Sequence, residues 1–479
     1  MPVGRRVGGR RRQGLVLALA LSMATGGCGT IHTVKKSILG GPLDPGEHLK
    51  GFIGGVVADE PLAALAAREV LATGGTAADA AVTLGFMLTV TLPSRASLGG
   101  GGACIAYRPG ASSPGHGVPE AVLFTPRAPA LTEGDRPASV PMMARGLYLL
   151  SARYGTKPFD TLILPARRAA ATGFSISRAL ATDLAEVQRP LLADPAAAAV
   201  FAPGGRPLGE GSVLVQPDLA ATLTQIDAVG VGDMYLGLLA QKLVQASAQA
   251  GGPFNLGDLR AAVPRLGEPI VVKAGDDQAA FLPPPADGGL GAAAAFLALE
   301  RSGMVTQQLA ELSVAAAADW RQHGTDPLKI LQAPAVSGTL PALPASTSFA
   351  VLDRNGGAVA CALTMENLFG TGRIAPGTGI VLGASPAIKP PALLTAAIAW
   401  NSNHDAFRAA VGASGQNGAA LAGAVALGQA MVGDLPPRVP VPDPGRANAI
   451  GCPHYVPGDA DSCHFYSDVR NAGLAAGGS

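Results

Sequence analysis

Between Thr325 and Ser348 the chain loses every hydrophobic period, with Pro327, Pro334, Pro341 and Pro344 at irregular intervals, and then opens at once into two runs of strand character. Those runs, Phe349 to Leu352 and Ala358 to Leu363, are joined by Asp353-Arg354-Asn355-Gly356-Gly357. Asn-Gly between two apolar stretches is the signature of a tight hairpin, because these residues accept the positive φ that such a turn needs. The break itself reads as a mobile loop or a boundary. A sheet that starts directly after it is one whose first residue can serve as a chain terminus.

Elsewhere two periods alternate. From Pro61 to Leu71 the apolar positions Leu62, Leu65, Ala66 and Val70 recur at helical spacing, and Gly74-Gly75 supplies a stop. A second helix is expected from Ala77 to about Val90. Ser97-Leu98 and four consecutive glycines, Gly99 to Gly102, then lead into the strand-length run Ala103 to Tyr107; no Gly-Lys-Ser/Thr follows, so this is not a phosphate loop. Helical patterns cover Pro141 to Tyr154, Phe159 to Thr172, Ser177 to Leu192, Asp218 to Val229 and Gly232 to Ala250, with Ser177 and Asp218 as N-caps. A strand at Pro269 to Val272, a turn at Pro283 to Gly289 and an Ala-rich helix to about Arg301 follow. The 64 glycines and 40 prolines argue against a helical array or coiled coil, and 48% hydrophobic residues exclude a disordered chain.

The chain carries 35 basic and 34 acidic residues, but Arg5, Arg6, Arg10, Arg11 and Arg12 all precede Gly14. The remainder has a slight acidic excess, which argues against a nucleic-acid-binding body. Those arginines precede an apolar run from Leu15 to about Ala24, shorter than the ~20 residues that span a bilayer and laid out as a secretory signal. It ends in Ala24-Thr25-Gly26-Gly27-Cys28, an arrangement that resembles the bacterial lipoprotein signal, in which the cysteine is lipidated. The expectation is a signal over residues 1–27, a tether over 28–50, and an exported protein facing the periplasm, held on the membrane through Cys28. Cys104 and Cys361 lie in apolar runs and read as small buried hydrophobes. Cys452 and Cys463 flank a loop of Pro, Gly and Asp, so a disulfide is expected there in an oxidising compartment. His454 and His464 beside them make a zinc clip the weaker alternative, since there is no CxxC pair.

Most motifs of hydrolytic chemistry are missing. Gly412-Ala413-Ser414-Gly415-Gln416 approaches a Gly-x-Ser-x-Gly elbow and lacks its last glycine. There is no HExxH, the seven histidines have no metal-ligand spacing, and nothing calls for a metal or a cofactor. What remains is Ala345-Ser346-Thr347-Ser348 at the head of the strand after the break. A Ser or Thr at a new N-terminus is nucleophile and base together, because its own α-amine, with a pKa near ~8, takes the hydroxyl proton. The alternative is a set of loop hydroxyls that cap a turn.

Blocks along the chain carry a resemblance. They are Gly55-Val56-Val57-Ala58 with Pro61-Leu62-Ala63, Gly74 to Ala81, Gly99 to Gly102, Arg153-Tyr154-Gly155, Gln216 to Ala220, Pro283 to Gly289, Val351-Leu352-Asp353, Phe369 to Gly372, Pro376 to Ile380 and Ser467 to Arg470. From about Gly55 to Ala475 the chain resembles the gamma-glutamyltransferase family of N-terminal-nucleophile hydrolases. The resemblance implies a four-layer αββα sandwich made as a precursor that cuts itself before a threonine. Residues 51–345 then correspond to the large subunit and 346–479 to the small one. Anchoring on Val351-Leu352-Asp353 puts Ser346 at the nucleophile. Thr347 is the alternative, but a one-residue slip would turn every following side chain to the opposite face. Thr364 matches the threonine that supports the nucleophile, and Gly415 with Gln416 takes the place of the two oxyanion glycines.

The substrate-binding positions depart from the family. Thr125 replaces the arginine that holds the substrate carboxylate, with Arg127 two residues on, and Glu366 replaces an asparagine. Gly383 to Lys389 holds no acidic pair for the α-amino group, and Leu393-Leu394 stands where paired serines are expected. Each lost charged contact weakens glutamyl binding by ~1.5 to 3 kcal/mol. Three readings follow: an amidohydrolase or acyltransferase with an altered pocket, a conventional glutathione-degrading enzyme, and a non-catalytic envelope lipoprotein that keeps the fold. The expected partners are a small-molecule amide or γ-glutamyl compound and the membrane at Cys28, with no nucleic acid and no oligomer beyond a large and small subunit pair.

Overall fold

In the computed structural model, which describes residues 49–110, 117–335 and 337–478, the apolar runs assemble into two large antiparallel sheets. The strands up to the break are β1 (Gly54–Ala58), β2 (Gly101–Tyr107), β3 (Glu120–Phe124), β4 (Phe174–Ser175), β5 (Val213–Leu214), β6 (Arg265–Gly267), β7 (Ile270–Ala274) and β8 (Asp277–Phe281). Beyond it come β9 (Ser346–Asp353), β10 (Ala358–Thr364), β11 (Ile374–Ala375), β12 (Ile380–Val381), β13 (Thr395–Asn401), β14 (Ala406–Ser414), β15 (Arg446–Val456), β16 (His464–Ser467) and β17 (Leu474–Gly477). One sheet has the order β17-β1-β9-β10-β2-β3-β6 and the other β16-β15-β14-β13-β8-β7, while β4–β5 and β11–β12 are two-stranded ribbons.

The main helices are α1 (Pro61–Ala72), α2 (Ala77–Thr91), α3 (Met143–Tyr154), α4 (Phe159–Thr172), α5 (Pro217–Val229), α6 (Leu238–Gln249), α7 (Gly288–Ser302), α8 (Gln307–His323), α9 (Pro327–Gln332) and α10 (Ala419–Met431). Successive residues of a strand point to opposite faces, so each sheet divides its side chains between two cores. Val56, Cys104, Phe349, Val351 and Cys361 pack into a core with α1 to α6. Their neighbours Val57, Ala103, Ala350, Leu352 and Ala360 meet Ile398, Ala410 and Ile450 of the second sheet. That sheet turns Ala397, Ala409 and Val411 toward α7, α8 and α10. The result is four layers, αββα. Strands covered on both faces read as continuous apolar runs, which is why strict alternation is absent from the sequence. The sheets also come close: a Cβ on Gly412 would stand 2.8 Å from the Phe349 carbonyl oxygen.

The hairpin at Asn355-Gly356 forms, with Gly356 at φ 85° and the Asp353 carboxylate accepting from the amides of Asn355 and Gly357 at 2.9 Å each. The same carboxylate accepts from the amide of Ala77 at 3.0 Å and so satisfies the start of α2. Ser177 is an N-cap, but α5 begins at Pro217 behind Gln216, so Asp218 lies inside its first turn. The pattern Gly232 to Ala250 divides at Gly237, because the Asp233 side chain accepts from the amides of Leu238 and Leu239 and starts a new helix there. The break from Thr325 to Ser348 contains α9, capped by Asp326 with Pro327 at its first position, and its last three residues already belong to β9.

The cysteines of the apolar runs need a correction. Register pairs Cys361 of β10 with Cys104 of β2, and the two form a disulfide. The reason is a strand pairing across 257 positions of sequence, which neither apolar run reveals. A second disulfide joins Cys452 and Cys463. The signal, the tether up to residue 48 and the Cys28 lipidation site lie outside the described residues. Among the described residues no helix is long and apolar enough to cross a membrane.

Candidate active site

The site grows from the register of four adjacent strands. Ser346, the first residue of β9, is opposite Thr364, the last of β10, and Thr364 is opposite Gly101 at the start of β2. Gly102 is opposite Phe124 at the end of β3, so Thr125 follows at the same end of the sheet. Ser346, Ser348, Ala350 and Leu352 share one face by alternation, as do Thr364, Ala362 and Ala360. The alanines and Leu352 on that face pack against the second sheet, so Ser346 and Thr364 form a cross-strand pair turned toward it.

Thr364 ties this pair to the peptide bond before Ser346. Its Oγ1 donates to the Ala345 carbonyl oxygen at 3.0 Å and accepts from the amide of Glu366 at 2.9 Å. Ser346 itself is 3% exposed.

Thr347 faces the other way and is engaged. Its Oγ1 donates to Asp59 Oδ2 at 2.8 Å, and the Ser348 amide donates to the same oxygen at 3.1 Å. Asp59 Oδ1 accepts from Asn448 Nδ2 at 2.6 Å and Asn471 Nδ2 at 2.7 Å. Asn448 also reaches Ser348, donating to its carbonyl at 2.9 Å. Burial pushes the Asp59 carboxyl up from the usual carboxylate range, while Arg95 and these hydrogen bonds pull the other way. Three segments, β9, β15 and the chain at Asn471, thus donate to one fully buried carboxyl beside Thr347 and Ser348. Sequence reading missed Asp59, Asn448 and Asn471; the only signal was an acidic pair, Asp59-Glu60, directly after an apolar strand.

The turn after β14 lies toward the same end. Tyr107 donates to Asp405 Oδ1 at 3.0 Å, and Tyr107 is opposite Ala358, which is opposite Leu352; Gly412 covers Phe349. The second sheet therefore runs from Asp405, near the far end of β9, to Gly415, near its start. Gly415 has φ 108° and a Cβ there would stand 2.2 Å from the Pro444 carbonyl oxygen, so only glycine fits. Gln416 holds φ 54° with its side chain in solvent.

Thr125 and Glu366 meet in a cavity of about 330 Å³, walled by Pro126, Pro285, Trp320, Arg321, Pro391, Ala392 and Leu394. Arg127 is not there; it is exposed and donates to the Ala261 carbonyl at 2.8 Å. Arg321 is bound by two hydrogen bonds to the Asp287 carboxylate, the one from Nη2 to Oδ1 at 2.9 Å, and by a third to the Pro391 carbonyl at 2.8 Å. Asp287 is fully buried. Glu366, at φ 53°, accepts from the Ala392 amide at 2.8 Å. Burial pushes its carboxyl up to about 7, against the pull of that amide and of Arg321, with Asp287 adding to the rise. Trp320 and Arg321 escaped the sequence reading because α8 was not anticipated, although Leu309, Leu312, Ala316 and Trp320 recur at helical spacing before the stop at Gly324.

The gamma-glutamyltranspeptidase family model matches residues 63–323. The glutathione hydrolase proenzyme of Bacillus subtilis is 29% identical over 404 residues, covering 69% of this chain and 68% of that protein. Its counterpart from Escherichia coli is 30% identical over 372 residues, 66% of this chain and 63% of that one. Among solved structures, cephalosporin acylase from Bacillus halodurans superposes with a TM-score of 0.69 over 90% of this chain and 96% of its own, at 19% identity.

Proposed function

The chain belongs to the gamma-glutamyltranspeptidase family, with the fold of the N-terminal-nucleophile hydrolases, and on that premise we propose a self-cleaving amidohydrolase or acyltransferase whose nucleophile is Ser346. The observation that carries this is the hydrogen bond from Thr364 Oγ1 to the Ala345 carbonyl oxygen, 3.0 Å long, across from Ser346. Attack of Ser346 Oγ on the Ala345 carbonyl carbon puts negative charge on that oxygen, where Thr364 already donates. Collapse breaks the Ala345–Ser346 amide, leaving an ester on Oγ and a free α-amine; water then hydrolyses the ester to the Ala345 carboxylate.

The freed amine is the base for later turnover. It takes the Oγ proton as Ser346 attacks a substrate amide and gives it to the departing amine, and the acyl-enzyme is resolved by water or by an acceptor amine. The amides of Gly415 and Gln416, at the head of the turn near Ser346, are the proposed oxyanion donors. Thr347 is assigned a structural role, because its hydroxyl is committed to Asp59.

Residues 51–345 and 346–479 are proposed as the two subunits. Sheet order supports their staying together after the cut: β9 and β10 lie between β1 and β2, and β13 pairs with β8. Export and anchoring through Cys28 complete the reading, and the two disulfides support an oxidising compartment. The relatives named as glutathione hydrolases support hydrolysis or transfer of an acyl group as the reaction class. The substitutions at Thr125 and Glu366 argue that the acyl group differs here.

Intact mass and denaturing gels of the mature protein test this. The expected result is two fragments with Ser346 at the new N-terminus, retained in Thr347→Ala and absent in Ser346→Ala. An uncut wild-type chain overturns the reading and leaves a non-catalytic envelope lipoprotein on this fold.

A further inference from the structure

Resting on Ser346 as nucleophile, we propose that the cavity between Thr125, Trp320, Arg321 and Glu366 is an acyl pocket for an uncharged, largely apolar acyl group rather than a γ-glutamyl group. Its place argues for an acyl site. Thr125 ends the row that begins at Ser346, three strand spacings or roughly 14 Å away, and Glu366 lies two residues past Thr364. By register Glu366 is the wall nearest Ser346, so an acyl group carried on the nucleophile would enter the cavity on that side.

The walls argue for the class of acyl group. Three prolines, Ala392, Leu394 and Trp320 supply apolar surface. The charged residues among those lining it are Arg321 and Glu366, and neither offers an unspent charge to a zwitterionic head. Arg321 is held by Asp287 and the Pro391 carbonyl; turning it to a substrate carboxylate would strip Asp287, fully buried, of its cation. Glu366 would have to supply the anion for an α-ammonium, yet burial keeps its carboxyl protonated below about 7. Neutral Glu366 offers a hydrogen bond instead. A cavity of about 330 Å³ has the room of roughly eleven liquid waters at ~30 Å³ each, enough to take a phenylacetyl or hexanoyl group.

Two charged groups face Glu366: Arg321 from α8 and Asp287 from the turn before α7. As pH rises through about 7, ionised Glu366 places a charge against the acyl chain. Preference for a neutral acyl group therefore falls above that pH, and Glu366→Gln makes it flat.

The self-cleaved full chain is assayed with phenylacetyl-, hexanoyl- and γ-glutamyl-p-nitroanilide. The expected result is a kcat/KM for the neutral substrates about 100-fold above that for γ-glutamyl. It depends on Ser346 and is lost when Leu394→Trp fills the cavity. Ser346-dependent turnover that favours the γ-glutamyl substrate, or ranks them equal, overturns the pocket proposal and leaves the enzyme reading standing. If the chain does not cut itself, the enzyme reading falls and the pocket is judged by titrating the uncut protein with phenylacetamide and L-glutamine. Phenylacetamide binding about tenfold tighter, and lost in Leu394→Trp, upholds the proposal. Equal binding, tighter glutamine binding or binding of neither overturns it.

Discussion

At the Ser346 end of the sheets a hydroxyl stands where charge would develop: Thr364 donates to the Ala345 carbonyl, and Thr347 and Ser348 are pinned from behind by Asp59. Across the row, around Thr125 and Glu366, the polar groups satisfy one another. Arg321 spends its charge on Asp287, and burial holds Glu366 toward its neutral form. Both regions are built on neighbouring strands of one sheet, yet one presents a polar device and the other a nearly neutral hollow. Backbone register and two hydroxyls define the first region, while side chains from separate loops and α8 define the second. A chain can thus keep the first while changing the second.

Substitutions can break this contrast. The largest effect is expected at the cavity: Arg321→Leu leaves Asp287 buried without its cation and should lower stability by about 3–5 kcal/mol in denaturant unfolding, with much of the loss recovered in Arg321→Leu/Asp287→Leu. Full stability in the single variant would show that the pair does not set the cavity. Next, Thr364→Ala should slow self-cleavage by about 100- to 1000-fold, the effect of removing one oxyanion donor, while Thr364→Ser restores most of the rate. An unchanged rate would deny the 3.0 Å contact a role in the cut.

Glu366 gives a pH test. Its folded pKa of about 7 lies above the ordinary 4.5, so its contribution to stability is complete below pH 4.5 and declines as pH rises to 7. The decline should be about 3 kcal/mol at 1.36 kcal/mol per pK unit, and Glu366→Gln should remove it from the urea-unfolding profile. Parallel profiles would place Glu366 in water. The smallest effect is expected for Arg127→Ala: about 0.5 kcal/mol or less in stability and no change in acyl preference, since this side chain is exposed and bonded to Ala261. A shift in preference would return Arg127 to the pocket.

Much of the region around Ser346 is legible in the chain. Asn355-Gly356 announces the hairpin, and the hairpin fixes which residues of β9 and β10 stand opposite each other, Ser346 and Thr364 among them. The cavity is legible only at Thr125 and Glu366. Arg127, two residues from an expected binding position, leaves the site because the chain after β3 carries it toward Ala261. Arg321 joins it from a helix 45 positions before Glu366. The Asp59 network is the extreme case, since it gathers residues 59, 347, 348, 448 and 471.

Local chemistry in the sequence therefore determined the turns, the strand runs and the hydroxyls at the head of β9, because each depends on propensities and spacings within a few residues, whereas the four-layer fold was implied only by the resemblance of blocks spread along the chain. The tertiary structure alone decided the Cys104–Cys361 disulfide, the burial of Asp59 and the cancellation of charge around Glu366. Each of these depends on which distant segments share a sheet edge and on how little water remains between them, and register and desolvation are properties of the assembled layers.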